Sequence, residues 1–225
     1  IADHQPEFWN DFPNVRHVQL SEQVGSIEAC VLESTNTGKV LLEACGLSFS
    51  YGDRKIFDEY NQTIRAGERI VLVGANGAGK TTLLKLLNHQ LEPEAGSLKF
   101  SCPIKMKFLP SSSMEYLFSM PIVEEFKLES RSIDSSIPFE LRNIQKQYPF
   151  DLSLGQQRKV ALNLIFDPAT DIILLDEPFL HLDNQSCGIL IQAMENWSRA
   201  GRTVIFTSHL EAFFKSWATQ IWRLG

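Results

Sequence analysis

No stretch of this 225-residue chain is apolar for the ~18 residues that a membrane span requires. Its longest apolar runs, such as Val71–Val73 and Ile172–Leu175, are strand-sized. Cysteine is sparse: Cys30, Cys45, Cys102 and Cys187 are scattered with no C-x-x-C pair, which argues against a disulfide framework or a thiolate zinc site and for reduced thiols. Positive charge is in deficit, with 21 Lys and Arg against 27 Asp and Glu and a net charge of −6. That balance disfavours non-specific nucleic-acid binding as the main task. No internal repeat, low-complexity tract, signal peptide or lipidation pattern stands out. Apolar residues make up 44% and charged residues 21%, enough apolar content to exclude disorder as the dominant state.

Ile1 rather than Met opens the sequence, and we read the chain as a domain of a longer polypeptide. Residues 1–39 read as an N-terminal appendage or linker, with Pro6, Pro13, Gly25 and a closing Ser34–Gly38 turn cluster; Phe8, Trp9 and Phe12 could dock on a partner or on this domain. Residues 40–225 form the main domain. Val40–Phe49 can form a strand and Gly52-Asp53 a turn. Arg69–Val73 predicts a buried strand, and Thr81–Leu91 a helix whose apolar side carries Leu83, Leu84, Leu86 and Leu87. Residues 111–152 predict a short helical insertion, limited by Pro121, Pro138 and Pro149. After it the chain alternates again: a helix from Ser153, strand Ile172–Leu175, a helix near Cys187–Trp197, strand Thr203–Thr207 and a last helix near Leu210–Trp217. Such alternation implies an α/β fold, with a mostly parallel sheet flanked by helices.

The segment Gly74-Ala75-Asn76-Gly77-Ala78-Gly79-Lys80-Thr81, followed by Thr82, matches G-x-x-x-x-G-K-[ST] between a strand and a helix. Glycines let the backbone turn tightly, so that several N–H groups converge on phosphate oxygens. The helix that starts there adds its partial positive charge. Lys80 would bridge the β- and γ-phosphates, and Thr81 would offer its hydroxyl to Mg²⁺. Ile172–Leu175 then ends in Asp176-Glu177, at the carboxyl end of a buried strand where ligands of such sheets bind. Asp176 is placed to hold Mg²⁺ through a water. Glu177 is placed to polarise the attacking water as a general base.

Leu152-Ser153-Leu154-Gly155-Gln156-Gln157-Arg158 resembles the L-S-G-G-Q signature of ATP-binding cassette (ABC) ATPases. Ser153 and Gln156 also have capping-box spacing, so a helix should begin here. The resemblance, which covers about residues 40–225, implies a P-loop NTPase core with an N-terminal antiparallel β portion and a short helical subdomain. It implies ATP as ligand and Mg²⁺ as cofactor. It also implies that Ser153, Leu154, Gly155 and Gln156 face the γ-phosphate held by a second cassette. By the same resemblance, Tyr51 stacks on adenine, Asp183 is the aspartate of the loop after the magnesium strand, and His209 contacts the γ-phosphate. Two positions depart from the pattern: Leu154 replaces the first signature glycine, and Ser111 stands where the family has a glutamine that touches Mg²⁺.

The resemblance leaves three roles open. The first is an ATP-hydrolysing cassette that powers membrane transport at the cytoplasmic face, partnered by a transmembrane domain, fused or separate, with no nucleic-acid partner. Asp176-Glu177-Pro178-Phe179 with L-S-x-G-Q-Q-R resembles the haem-export type of cytochrome c maturation. The second is a soluble ABC-F translation factor acting on the ribosome, whose flavour is seen in Ser50-Tyr51-Gly52-Asp53-Arg54 and His181-Leu182-Asp183. The third is a regulatory cassette with slow turnover.

Overall fold

The computed structural model describes residues 38–133 and 138–225. The expected appendage, with Phe8, Trp9 and Phe12, lies outside the described residues apart from Gly38 and Lys39. Eight strands are described: β1 (Val40–Tyr51), β2 (Arg54–Arg65), β3 (Arg69–Gly74), β4 (Ala95–Phe100), β5 (Met106–Leu109), β6 (Ile172–Leu175), β7 (Thr203–Thr207) and β8 (Gln220–Leu224). The helices among these residues are α1 (Lys80–Leu87), α2 (Ile122–Leu128), α3 (Leu154–Ile165), α4 (Asn184–Arg199) and the four-residue α5 (Glu211–Phe214).

β1 pairs antiparallel with β2 and β4 in a three-stranded sheet. The second sheet is wholly parallel, in the order β5-β6-β7-β3-β8. Its central strands β6 and β7 are buried at every residue, as a sheet covered on both faces requires. Alternation divides their side chains. Ile70, Leu72, Ile172, Leu174 and Ile205 join Leu83, Leu84, Leu86 and Leu87 of α1 in one core, which continues into Leu42, Phe49, Phe57 and Ile64 of the antiparallel sheet. Residues of the opposite parity meet the other helices; Phe206, for example, packs edge-on against Phe214 and Trp217. This two-sided burial holds the sheet rigid, and its carboxyl edge becomes a fixed platform for loops.

α1 stops at Leu87 rather than reaching Leu91 as expected. His89 adopts φ 55°, the Gln90 N–H donates to Lys85 O at 2.9 Å, and the His89 N–H donates to Leu86 O at 3.1 Å. That is a left-handed helix stop of the kind glycine usually makes, here built on histidine, so the usual stop signal is missing. The last helix is likewise shorter than expected. It ends at Phe214 rather than Trp217, and the chain then turns into β8, for which the sequence carried no distinct signal. In the insertion, α2 is one seven-residue helix; single 3-10 turns such as Pro149–Asp151 make up part of the rest. Cys45, Cys102 and Cys187 are free thiols, and Cys30 lies outside the described residues. None of the described helices is long and apolar enough to cross a membrane.

Candidate nucleotide site

Because the second sheet is parallel throughout, β3, β5, β6 and β7 release their chains at one edge. There Pro110, Asp176, Ser208 and Gly74 follow one another in space. At Gly74 a side chain is forbidden: a Cβ would lie 2.4 Å from the Leu224 carbonyl oxygen. Gly79, at φ 98°, is equally constrained, since a Cβ would meet Ile56 Cγ2 at 2.6 Å. The loop between them therefore turns close against β8 and β2 and delivers the uncapped N-terminus of α1. Lys80 is buried, and its ammonium donates to Gly74 O at 2.7 Å and Ala75 O at 3.0 Å. The loop is thus wrapped around its own cation. Ala75, Asn76 and Gly77 are exposed, whereas Thr82 is buried beneath them.

A continuous hydrogen-bonded chain runs outward from the loop. The Thr81 hydroxyl donates to Asp176 Oδ2 at 2.7 Å, across 95 residues of sequence. The Thr207 hydroxyl donates to Asp176 Oδ1 at 2.9 Å and accepts the Glu177 N–H at 2.7 Å. Glu177 Oε1 lies 3.2 Å from His209 Nε2, with both side chains partly open to solvent. Glu177 has φ 46°, an uncommon conformation that costs about 1–3 kcal/mol and persists only where neighbours enforce it. The donor set fits Mg²⁺, a hard ion that takes one or two protein oxygens and completes its shell with phosphate and water; the Thr81 hydroxyl and the Asp176 carboxylate supply that number.

Two further residues, whose roles were not read from the sequence, shape the site. Arg54, across the hairpin from Tyr51, donates to Gly77 O at 2.9 Å and leans on the phosphate loop. Tyr51 itself is half exposed at the end of β1, its ring edge-on to Phe49 at 4.9 Å. Arg158 is fully buried. Its Nη1 donates to Pro110 O at 2.7 Å and Ser111 O at 3.4 Å, its Nη2 to Asp176 O at 2.7 Å and Glu177 O at 2.8 Å, and its Nε to Pro178 O at 3.3 Å. Burial pulls its pKa down to about 10, against the opposing pull of Asp176 and Glu177. No spacing rule could have named these partners. They lie on three separate connections, after β3, β5 and β6, and those named are all main-chain carbonyls.

The signature-like turn forms a separate feature. Ser153 caps α3 in a reciprocal box with Gln156, as the spacing predicted: Gln156 N–H to Ser153 Oγ at 3.3 Å, Ser153 N–H to Gln156 Oε1 at 3.0 Å. Leu154 is 57% exposed, so its side chain points outward rather than into this domain's core. A Cβ on Gly155 would lie 2.8 Å from the His181 carbonyl oxygen, so the turn packs directly on the loop after β6. Asp183 caps α4 by accepting the Ser186 N–H at 2.8 Å and pairs with Lys159 at 3.2 Å. The hydrogen bond from Ser186 is the main cause of its lowered pKa. The structure therefore gathers Lys80, Thr81, Asp176, Glu177 and His209 at one place, and puts Ser153–Gln156 and Asp183 on an adjoining face.

The family model described as ABC transporter matches residues 57–180. Along the sequence, the chain is 32% identical over 186 residues to the ribosome protection protein VmlR of Bacillus subtilis (strain 168), covering 83% of this chain and 31% of that protein. It is 31% identical over 191 residues to the cytochrome c biogenesis ATP-binding export protein CcmA of Idiomarina loihiensis, covering 77% of this chain and 88% of that one. It spans about a third of VmlR and of the Caulobacter vibrioides ATP-binding protein Uup. Among solved structures, an ATP-binding subunit of an ABC transporter superposes with TM-score 0.74 at 23% identity, covering 82% of this chain and 85% of that chain. The ATP-binding cassette MJ0796 bound to ADP and Pi superposes with TM-score 0.68 at 18% identity, covering 82% and 94%.

Proposed function

The chain belongs to the ABC transporter family as an ATPase domain, and from that premise we propose that it works by ATP-driven pairing with a second cassette to power membrane transport. The observation that carries the hydrolytic part is the unbroken chain Thr81–Asp176–Thr207–Glu177–His209 beside the phosphate loop. Tyr51 stacks on adenine. Residues Gly74–Thr82 bind the phosphates through main-chain N–H groups, with Lys80 turning from its two carbonyls to the β- and γ-phosphates. Thr81 and, through water, Asp176 would hold Mg²⁺, which neutralises charge on the phosphate oxygens. Glu177 accepts the proton of the attacking water as its oxygen bonds to the γ-phosphorus. The bond from that phosphorus to the β,γ-bridging oxygen breaks, giving ADP and phosphate. His209 and Lys80 stabilise the spreading charge. Ser153, Leu154, Gly155 and Gln156 close over the γ-phosphate of the partner cassette, with Asp183 beside them, and reopening performs the work.

Glu177→Gln tests the base assignment. ATP affinity should stay within about twofold while turnover falls at least about a hundredfold, the usual weight of a general base. Turnover at the wild-type rate would refute the assignment. Transport is supported by the family model and by the likeness to the export protein CcmA. A second reading, action on the ribosome, is supported by the likeness to VmlR. Co-sedimentation of the full-length Glu177→Gln protein in ATP separates them. Recovery with a membrane protein partner upholds transport, and recovery with ribosomes replaces it.

A further inference from the structure

We propose that Arg158 is a positioning residue that couples the two nucleotide sites of a cassette pair, by tying the helix that carries Ser153–Gln156 to the main chain that carries Glu177. The inference rests on the paired-cassette reading above. Arg158 lies one helical turn inside α3, directly beneath the cap that would engage the partner's nucleotide. Its single guanidinium bridges two connections: the one after β5, through Pro110 O and Ser111 O, and the one after β6, through Asp176 O, Glu177 O and Pro178 O. Glu177 is thereby gripped from both sides, at its N–H by Thr207 and at its carbonyl by Arg158. Its left-handed backbone depends on those grips.

Other residues of α3 are fastened to the described part of the insertion. Arg131 Nη1 donates to Asn163 O at 3.0 Å and Leu164 O at 3.1 Å, the Asn163 side chain bonds both main-chain groups of Phe139, and Gln157 Nε2 donates to Pro149 O at 2.9 Å. α3 and these parts of the insertion thus hold together; Lys107 ties them to β5 through Leu164 O at 3.1 Å and Glu129 at 2.6 Å, and Arg158 ties α3 to the main chain at the carboxyl edge of the sheet. A displacement of the α3 cap against a partner's γ-phosphate reaches Glu177 through this link. The connection after β5 is held through its carbonyls, Pro110 O and Ser111 O.

The test compares Arg158→Lys, which keeps the charge and loses the fork, with wild type and Glu177→Gln. In Arg158→Lys, kcat should fall about tenfold or more while KM for ATP and direct nucleotide affinity stay within about twofold, and the Hill coefficient for ATP should drop towards one. A variant that melts like wild type and retains both kcat and cooperativity overturns the proposal. If Glu177→Gln is inactive in the same assay, the paired-ATPase reading survives that loss. If Glu177→Gln is fully active, the base assignment fails independently of Arg158. Should Arg158→Lys not fold, hydrogen exchange on the Glu177→Gln protein decides. ATP should slow exchange in residues 110–113 together with 153–158, and protection of 153–158 with 110–113 unchanged overturns the coupling.

Discussion

At the scale of single residues, the site depends on side chains that hold other side chains in place. Thr207 is 1% exposed and makes two bonds, one to Asp176 and one from Glu177. Thr207→Val keeps the shape and removes both. Leaving a buried donor and acceptor unpaired costs about 1–3 kcal/mol each. We expect kcat to fall about tenfold or more with nucleotide affinity little changed, which steady-state kinetics beside a binding titration will check; equal kcat would deny Thr207 any part in aligning the carboxylates. Much of the site was legible from sequence because its pieces act locally. A glycine that must turn, a lysine that opens a helix and two acids that end an apolar strand each show within a few residues. Thr207, Arg54 and Arg158 were not legible as site residues, because their partners lie 18 to 48 residues away and most are main-chain groups.

At the scale of elements, two features carry measurable consequences. The C-terminal stop of α1 is built on His89 in the left-handed region, a conformation that costs a β-carbon-bearing residue about 1 kcal/mol relative to glycine. His89→Gly should raise the melting temperature by a few degrees without altering ATP turnover, and a lower melting temperature would show that the imidazole's contact with Phe100 matters more. In α2, Glu125 is 2% exposed and accepts the Phe118 N–H at 2.9 Å. Burial raises its pKa to about 7. The folded protein therefore holds that proton more tightly than the unfolded chain, whose carboxyl titrates near 4.5. Its contribution to stability is complete below about pH 4.5 and is lost as pH climbs through 7. Glu125→Gln, a neutral copy of the protonated form, should raise the melting temperature at pH 8 and change it little at pH 5. An equal shift at both values would rule out titration of this carboxyl.

For the whole molecule, the notable division is between one face that gathers the phosphate loop, Asp176, Glu177 and His209, and another that presents the Ser153 cap and exposed Leu154. In the paired reading proposed above, each reaction takes the second from another copy or a sister cassette. For a pair of identical chains, Lys80→Ala and Ser153→Arg should each be inactive alone. An equal mixture should regain roughly a quarter of wild-type turnover, since half the pairs then hold one intact site of two. A mixture as inactive as its components would exclude composite sites in a pair of identical chains.

The sequence by itself determined what short-range geometry dictates: the glycine cradle, the capped start of α3, the alternation of buried strands with helices, and hence a parallel sheet with its loops at one edge. Those features follow from steric freedom, cap chemistry and hydrophobic period, all of which act over a few residues. Only the tertiary structure decided that Thr81 meets Asp176 across 95 residues, that β8 borders the phosphate loop so closely that Gly74 admits no side chain, and that one buried guanidinium joins two connections. Such contacts depend on which strand lies beside which, and strand order is set by the packing of the complete core rather than by any local run of residues.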